Sequence, residues 1–158
     1  MRFTVSGKKL SEALGVVNTV VPQRSSVPEL SSVLFSCEGD TLTLSGTDFQ
    51  LTVRMKVNVK GQEDGSAGVN AARVAGIMRE ISDEALVYTD GDVLVIDYGR
   101  GSARLPGMDP EYFPAIPELP GTEGVKLAGE ILKRAVDKVA FATADMHTRG
   151  RAISGVLW

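Results

Sequence analysis

The sequence predicts an α+β protein assembled from a repeated strand–helix–strand unit. Three observations carry that prediction: the chain aligns with itself, its helical segments are amphipathic, and strand-like runs meet at glycine-bearing turns. RFTVSGKKLSEALGVVNTVV near the start matches GVKLAGEILKRAVDKVAFAT at an offset of 122 residues. Phe3 falls on Val125, Val5 on Leu127, Gly7 on Gly129, Leu10 on Leu132, Ala13 on Ala135 and Val17 on Val139. One loop residue later, ELSSVLF matches AISGVLW. A fainter copy, GVNAARVAGIMREI, lies between them, so units begin near residues 3, 67 and 125.

Phe3 and Val5 open the first unit as a short strand, and Leu10, Ala13, Leu14 and Val17 stripe one face of a helix. ELSSVLF is the next strand, and EGDTLTL turns a hairpin around residues 38–40. From Phe49 to Lys60, apolar and polar residues alternate, which predicts a strand with one wet face. Residues 61–68 read as a polar loop. In the second unit a helix over 71–82 is striped by Val74, Ile77, Met78 and Ile81. ALVYTDGDVLVIDYG follows as a hairpin turning around 90–92, and GSARLPGM supplies a last strand. PEYFPAIPELPG, holding four of the seven prolines, is a stiff linker. Residues 1–120 thus form one domain of two helices and about eight strands, and 121–158 begin a second as strand, helix, strand. RAISGVLW is a core strand without neighbours, so the chain is expected to be the N-terminal portion of a longer protein.

Hydrophobic content of 43% and charged content of 23% are those of a soluble globular domain. No apolar run reaches the ~18 residues of a transmembrane helix. MRFTVSGKKLSEALG lacks the apolar stretch of a secretory signal. Cys37 is the only cysteine, which excludes an intrachain disulfide and predicts a reducing, cytoplasmic setting. Aromatic content of 6% argues against a base-stacking platform. A net charge of −3 also argues against nucleic acid, until the charges are placed. The three helical segments carry seven basic residues against four acidic ones, a balance of +3 that leaves −6 on the rest of the chain. Opposite the apolar stripes stand Lys8, Arg79 and Arg134, flanked by Lys9, Arg73, Lys133 and Lys138. Arg24 and the cluster His147, Arg149, Arg151 occupy corresponding loops after the helices, where they could reach phosphate without reading bases.

Catalytic chemistry finds no footing. His147 is the only histidine, so neither a His-rich metal site nor a Ser–His pair is supported, and no metal or cofactor is expected. YGRGSARLPG lacks the third glycine of a dinucleotide loop, and a strand rather than a helix follows it. Asp90 with Asp92, and Asp109 with Glu111, fall at turns, where aspartate serves the local backbone.

With MRFTVSGKKL, VPQRSSVPELSSVLF, LTLSGTD, LPGMDPEYFP and AISGVLW in this order, the chain resembles the bacterial DNA polymerase III beta subunit family, the sliding clamps. The resemblance runs from Met1 to Trp158 and covers roughly the first two-fifths of a usual member. It implies the DNA-clamp fold: two helices against two antiparallel four-stranded sheets per domain, built from repeated β-α-β-β-β units. It also implies a non-catalytic processivity factor, a homodimer ring around double-stranded DNA that tethers the replicative polymerase. Implied partners are the polymerase III alpha subunit, the clamp loader, and other polymerases and repair proteins that carry clamp-binding peptides. By position, Arg24 and Arg73 correspond to DNA-facing residues, and DMHTRGR to another DNA-facing loop. Arg100 and Arg104 correspond to an edge strand at the subunit junction, and Ile153 to a wall of the partner-peptide groove. A protein-interaction module that does not encircle DNA is the alternative reading.

Overall fold

A computed structural model describes residues 1–23, 25–116, 125–144 and 155–156, in two compact units, Met1–Pro117 and Glu118–Trp158. The first unit runs β1 (Arg2–Ser6), α1 (Gly7–Val17), β2 (Ser32–Glu38), β3 (Thr41–Thr47), β4 (Thr52–Asn58) and β5 (Lys60–Glu63). It continues with β6 (Gly65–Asn70), α2 (Ala71–Arg79), β7 (Glu84–Asp90), β8 (Val93–Asp97) and β9 (Ser102–Met108). The α+β class is as the sequence predicts. Hairpins β2–β3 and β7–β8 close on two-residue loops led by Gly39 and Gly91, whose φ values of 51° and 58° suit glycine.

The strands form one antiparallel sheet in the order β4-β3-β2-β6-β9-β8-β7-β1-β5, not two separate four-stranded sheets. β9 joins the halves: residues 102–106 pair with β8, and Gly107 and Met108 pair with Val69 and Gly68 of β6. The approach is close: a Cβ on Gly68 would stand 2.7 Å from Met108 Cε, the movable end of that side chain, and 3.3 Å from Met108 Cβ and O. Residues 61–68, expected as a polar loop, instead supply β5 and the start of β6. β5 has no apolar alternation to betray it. It holds its place through backbone pairing with β1 and through Gly61, where a Cβ would lie 1.8 Å from Gly39 O.

The alternating strand expected from Phe49 begins only at Thr52, because a side-chain network turns the chain first. Asp48 Oδ1 accepts the N–H groups of Leu51 (2.7 Å) and Gln50 (2.9 Å), and Thr47 Oγ1 accepts that of Phe49. Phe49 is left at φ 72° with its ring exposed. These bonds hold the Asp48 carboxyl below its usual range, the Leu51 N–H contributing most.

A reciprocal exchange organises the unit. β1 leads straight into α1 yet pairs along its length with β7, while β6 leads into α2 yet pairs with β2. The helices therefore meet. Asn18 at the end of α1 reaches Ala71 O at the start of α2, whereas Lys8 at the other end lies beside Ser82. Leu10, Ala13, Leu14 and Val17 of α1 and Val74, Ala75 and Met78 of α2 are buried in one core with Phe3, Phe35, Leu44, Val87 and Ile96. Ile77, expected in the stripe, is only partly buried, and Ala75 takes its place.

In the second unit, α3 (Gly129–Ala140) forms, but residues 125–128 make no strand. A strand exists by pairing, and no strand is described in this unit to receive them. The strand expected at RAISGVLW lies largely outside the described residues; Gly155 and Val156, which are described, are not in one. No residue of α3 is buried.

Three outcomes follow from these contacts. Gly61→Ala destabilises the fold by about 1–3 kcal/mol through overpacking against the Gly39 carbonyl, read as a lowered urea midpoint. Gly76→Ala, at a helical position where an added Cβ meets nothing within 4 Å, stabilises by about 0.5–1 kcal/mol in the same measurement. Asp48 titrates below an unfolded aspartate, so its contribution is present above the unfolded pKa and is lost as pH falls through the folded one. Carboxyl NMR titration reads that shift, and Asp48→Asn removes the corresponding part of the acid-side loss of stability.

Candidate nucleic-acid interface

The apolar stripes that seat α1 and α2 in the core leave their opposite faces to solvent, and Lys8, Lys9, Arg73 and Arg79 are all exposed there. Two clefts run along the seam between the helices. In one, Lys8, Ser11 and Glu12 of α1 face Arg79 and Ser82. In the other, Asn18, Thr19, Gln23 and Ser31 face Asn70 and Arg79. Lys9 turns toward β4 instead, lining a cleft with Val16, Met55 and Lys56. The start of α2 is fixed by Asn70, whose Oδ1 accepts the Arg73 N–H at 3.0 Å, so Arg73 stands in a capped first turn.

Charge is partitioned between helices and sheet. Among the described residues there are two ion pairs, Lys60–Glu84 and Arg104–Asp90, each 2.7 Å, and both join strands. No carboxylate pairs with Lys8, Lys9, Arg73 or Arg79 among the described residues, although Glu12 and Glu80 lie on the same helical segments. Such a surface can take phosphate oxygens with release of counterions alone.

Of the other residues singled out in the sequence, Arg134 and Lys138 are exposed one turn apart on α3 of the second unit, with Lys138 in the last turn of that helix. Arg24, His147, Arg149, Arg151 and Ile153 lie outside the described residues. Arg100 sits in the turn between β8 and β9, not on a strand, its N–H donating to Tyr98 O at 2.8 Å. Arg104 is on β9, bound to Asp90, and lies across from Val95, which in turn faces Tyr88. β9 is internal in the strand order, but residues 102–106 pair only with β8 and Gly107 and Met108 only with β6, so the stretch holding Arg104 is unpaired on its other side. Asn18, Thr19 and Gln23, which line the cleft at the end of α1, escaped the sequence reading because they carry no charge. Their one signal is a polar cluster directly after a helical stripe.

The described residues hold no cluster of His, Cys, Asp or Glu placed to bind a metal. Cys37 is buried, and burial first, then Asp64 and Asp40, push its thiol up against a smaller opposing effect of the N-terminus. A protonated, enclosed thiol is no nucleophile at neutral pH.

Comparison with known proteins places this arrangement. Residues 1–117 match the family described as DNA polymerase III beta subunit, N-terminal domain. A beta sliding clamp homolog, GriR, of Streptomyces muensis is 33% identical over 141 residues, covering 89% of this chain and 38% of that protein. The beta sliding clamp of Pseudomonas aeruginosa is 30% identical over 152 residues, covering 94% and 41%. The solved Caulobacter crescentus pol III beta superposes with a TM-score of 0.86 at 30% identity, covering 95% of this chain and 42% of that one. The chain thus spans about two-fifths of the length of the curated relatives it matches. With a matching family model across the whole first unit, the chain belongs to the DNA polymerase III beta subunit family.

Proposed function

We propose that this chain is the N-terminal part of a DNA polymerase processivity factor, a non-catalytic cytoplasmic sliding clamp that encircles duplex DNA and tethers the replicative polymerase. The observation that carries the reading is the helical face: exposed cations without direct carboxylate partners among the described residues, on a chain belonging to this family. A few diffuse phosphate contacts give salt-sensitive affinity without sequence preference, which lets a ring move along the duplex. Strong local grip would oppose that movement, so a modest positive balance suits the task.

In this reading Lys8, Arg73 and Arg79 meet DNA from the first domain, residues 1–120. Arg134, Lys138, His147, Arg149 and Arg151 meet it from the second domain, begun by residues 121–158, and Arg24 from the loop after α1. Arg100 and Arg104 serve the junction of a homodimeric ring, and Ile153 forms part of the groove for peptides of the polymerase III alpha subunit, the clamp loader and repair proteins. Protein carrying this chain, once loaded on a nicked DNA circle, should co-elute with the circle and be lost when a restriction enzyme linearises it. Equal retention on circular and linear DNA would reject topological tethering.

A further inference from the structure

Arg79 is the one side chain, among the described residues, that lines both clefts of the α1–α2 seam. The two clefts differ in character. The one toward Lys8 sets two cations against Glu12, whereas the described lining of the other has no carboxylate and Arg79 as its only charge. That second cleft is otherwise neutral and polar. Asn18 Nδ2 reaches Ala71 O only at 3.5 Å, the limit of a hydrogen bond, so its amide protons are weakly committed. Thr19 and Ser31 donate their hydroxyl protons to Val16 O and Pro22 O. No direct ion pair among the described residues occupies the Arg79 guanidinium. Gly15 and Gly76, each with open space where a Cβ would stand, add no bulk to either helix.

From this geometry we infer that Arg79 is the central anchor of the helical face, seating one backbone phosphodiester of the duplex in the carboxylate-free cleft beside Asn18. The inference rests on the clamp reading above and deepens it: the contact is an oriented one, not merely one charge in a diffuse field. A guanidinium offers a planar pair of donors that matches two phosphate oxygens, and the Asn18 amide supplies a further neutral donor from the facing helix. Lys8, in the other cleft, continues the track toward the opposite end of the seam.

The test is titration of the 158-residue chain with a fluorescent duplex of roughly 30 base pairs and mixed sequence across a salt series, with circular dichroism to confirm folding. Arg79→Gln should reduce the slope of log K against log salt by about 1. Arg79→Lys should keep the slope but bind more weakly at every salt concentration, because it keeps the charge and loses the fork. Asn18→Asp, which puts a carboxylate in the neutral cleft, should weaken binding more than Lys60→Gln, an equal charge change on β5. An unchanged slope in Arg79→Gln, wild-type affinity in Arg79→Lys, or an Asn18→Asp effect no larger than that of Lys60→Gln overturns the anchor while leaving the clamp reading standing. Failure of the wild-type chain to show salt-dependent duplex binding overturns the anchor too, whereas the clamp reading falls only if protein carrying this chain is retained equally on circular and linear DNA.

Discussion

The exchange of opening strands between the two halves is the constraint from which the rest follows. β1 must lie in register with β7, Arg2 opposite Tyr88 through Ser6 opposite Glu84, and β6 must lie in register with β2. Each opening strand feeds directly into a helix, so fixing the strands fixes where both helices start. They are thereby driven together in opposite senses over a shared core. Close packing at the strand-to-helix joint admits no side chain: a Cβ on Gly7 would stand 2.1 Å from Ile81 O. Once both apolar stripes are committed to that core, the two remaining helix faces become a single surface.

Stability and charge are divided between the faces accordingly. The strand-joining ion pairs are more than half exposed, so each contributes at most about 1 kcal/mol. Burial of residues such as Leu10, Leu14, Phe3 and Phe35 matters more, since truncating one such side chain costs about 2–5 kcal/mol. The helical cations are therefore not required to hold the fold, and their arrangement is free to serve a polyanion. At one end of the sheet, β4 carries exposed Arg54 and Lys56 beside its open edge. Charges there discourage indiscriminate strand addition.

Much of this was legible in the sequence where side chains report their own environment. Leu10, Leu14, Val17, Val74 and Met78 repeat at helical spacing because one side of each helix is dry. The glycines at 39 and 91 mark their hairpins because the backbone there turns through positive φ. Features held by backbone alone left weaker traces. β5 is KGQE, without an apolar residue, and the junction of β6 with β9 rests on Gly68 and Gly107, which are far apart in sequence. Phe49 was misread because its hydrophobicity fits an alternating strand, while the Asp48 carboxylate that turns the chain acts through main-chain N–H groups. The cations on the helices could be counted, but the cleft joining Arg79 to Asn18 required the two helices to be placed side by side.

The central claim is that duplex DNA meets the paired helices and not the sheet. Amide chemical-shift mapping of the chain with a short duplex tests it most directly. The account predicts salt-sensitive shifts confined, in the first unit, to Lys8, Gly15, Asn18, Ala72, Gly76, Arg79 and their neighbours on α1 and α2. Shifts concentrated instead on Tyr88, Val95 and Arg104 of the sheet, with the helices unmoved, would contradict it.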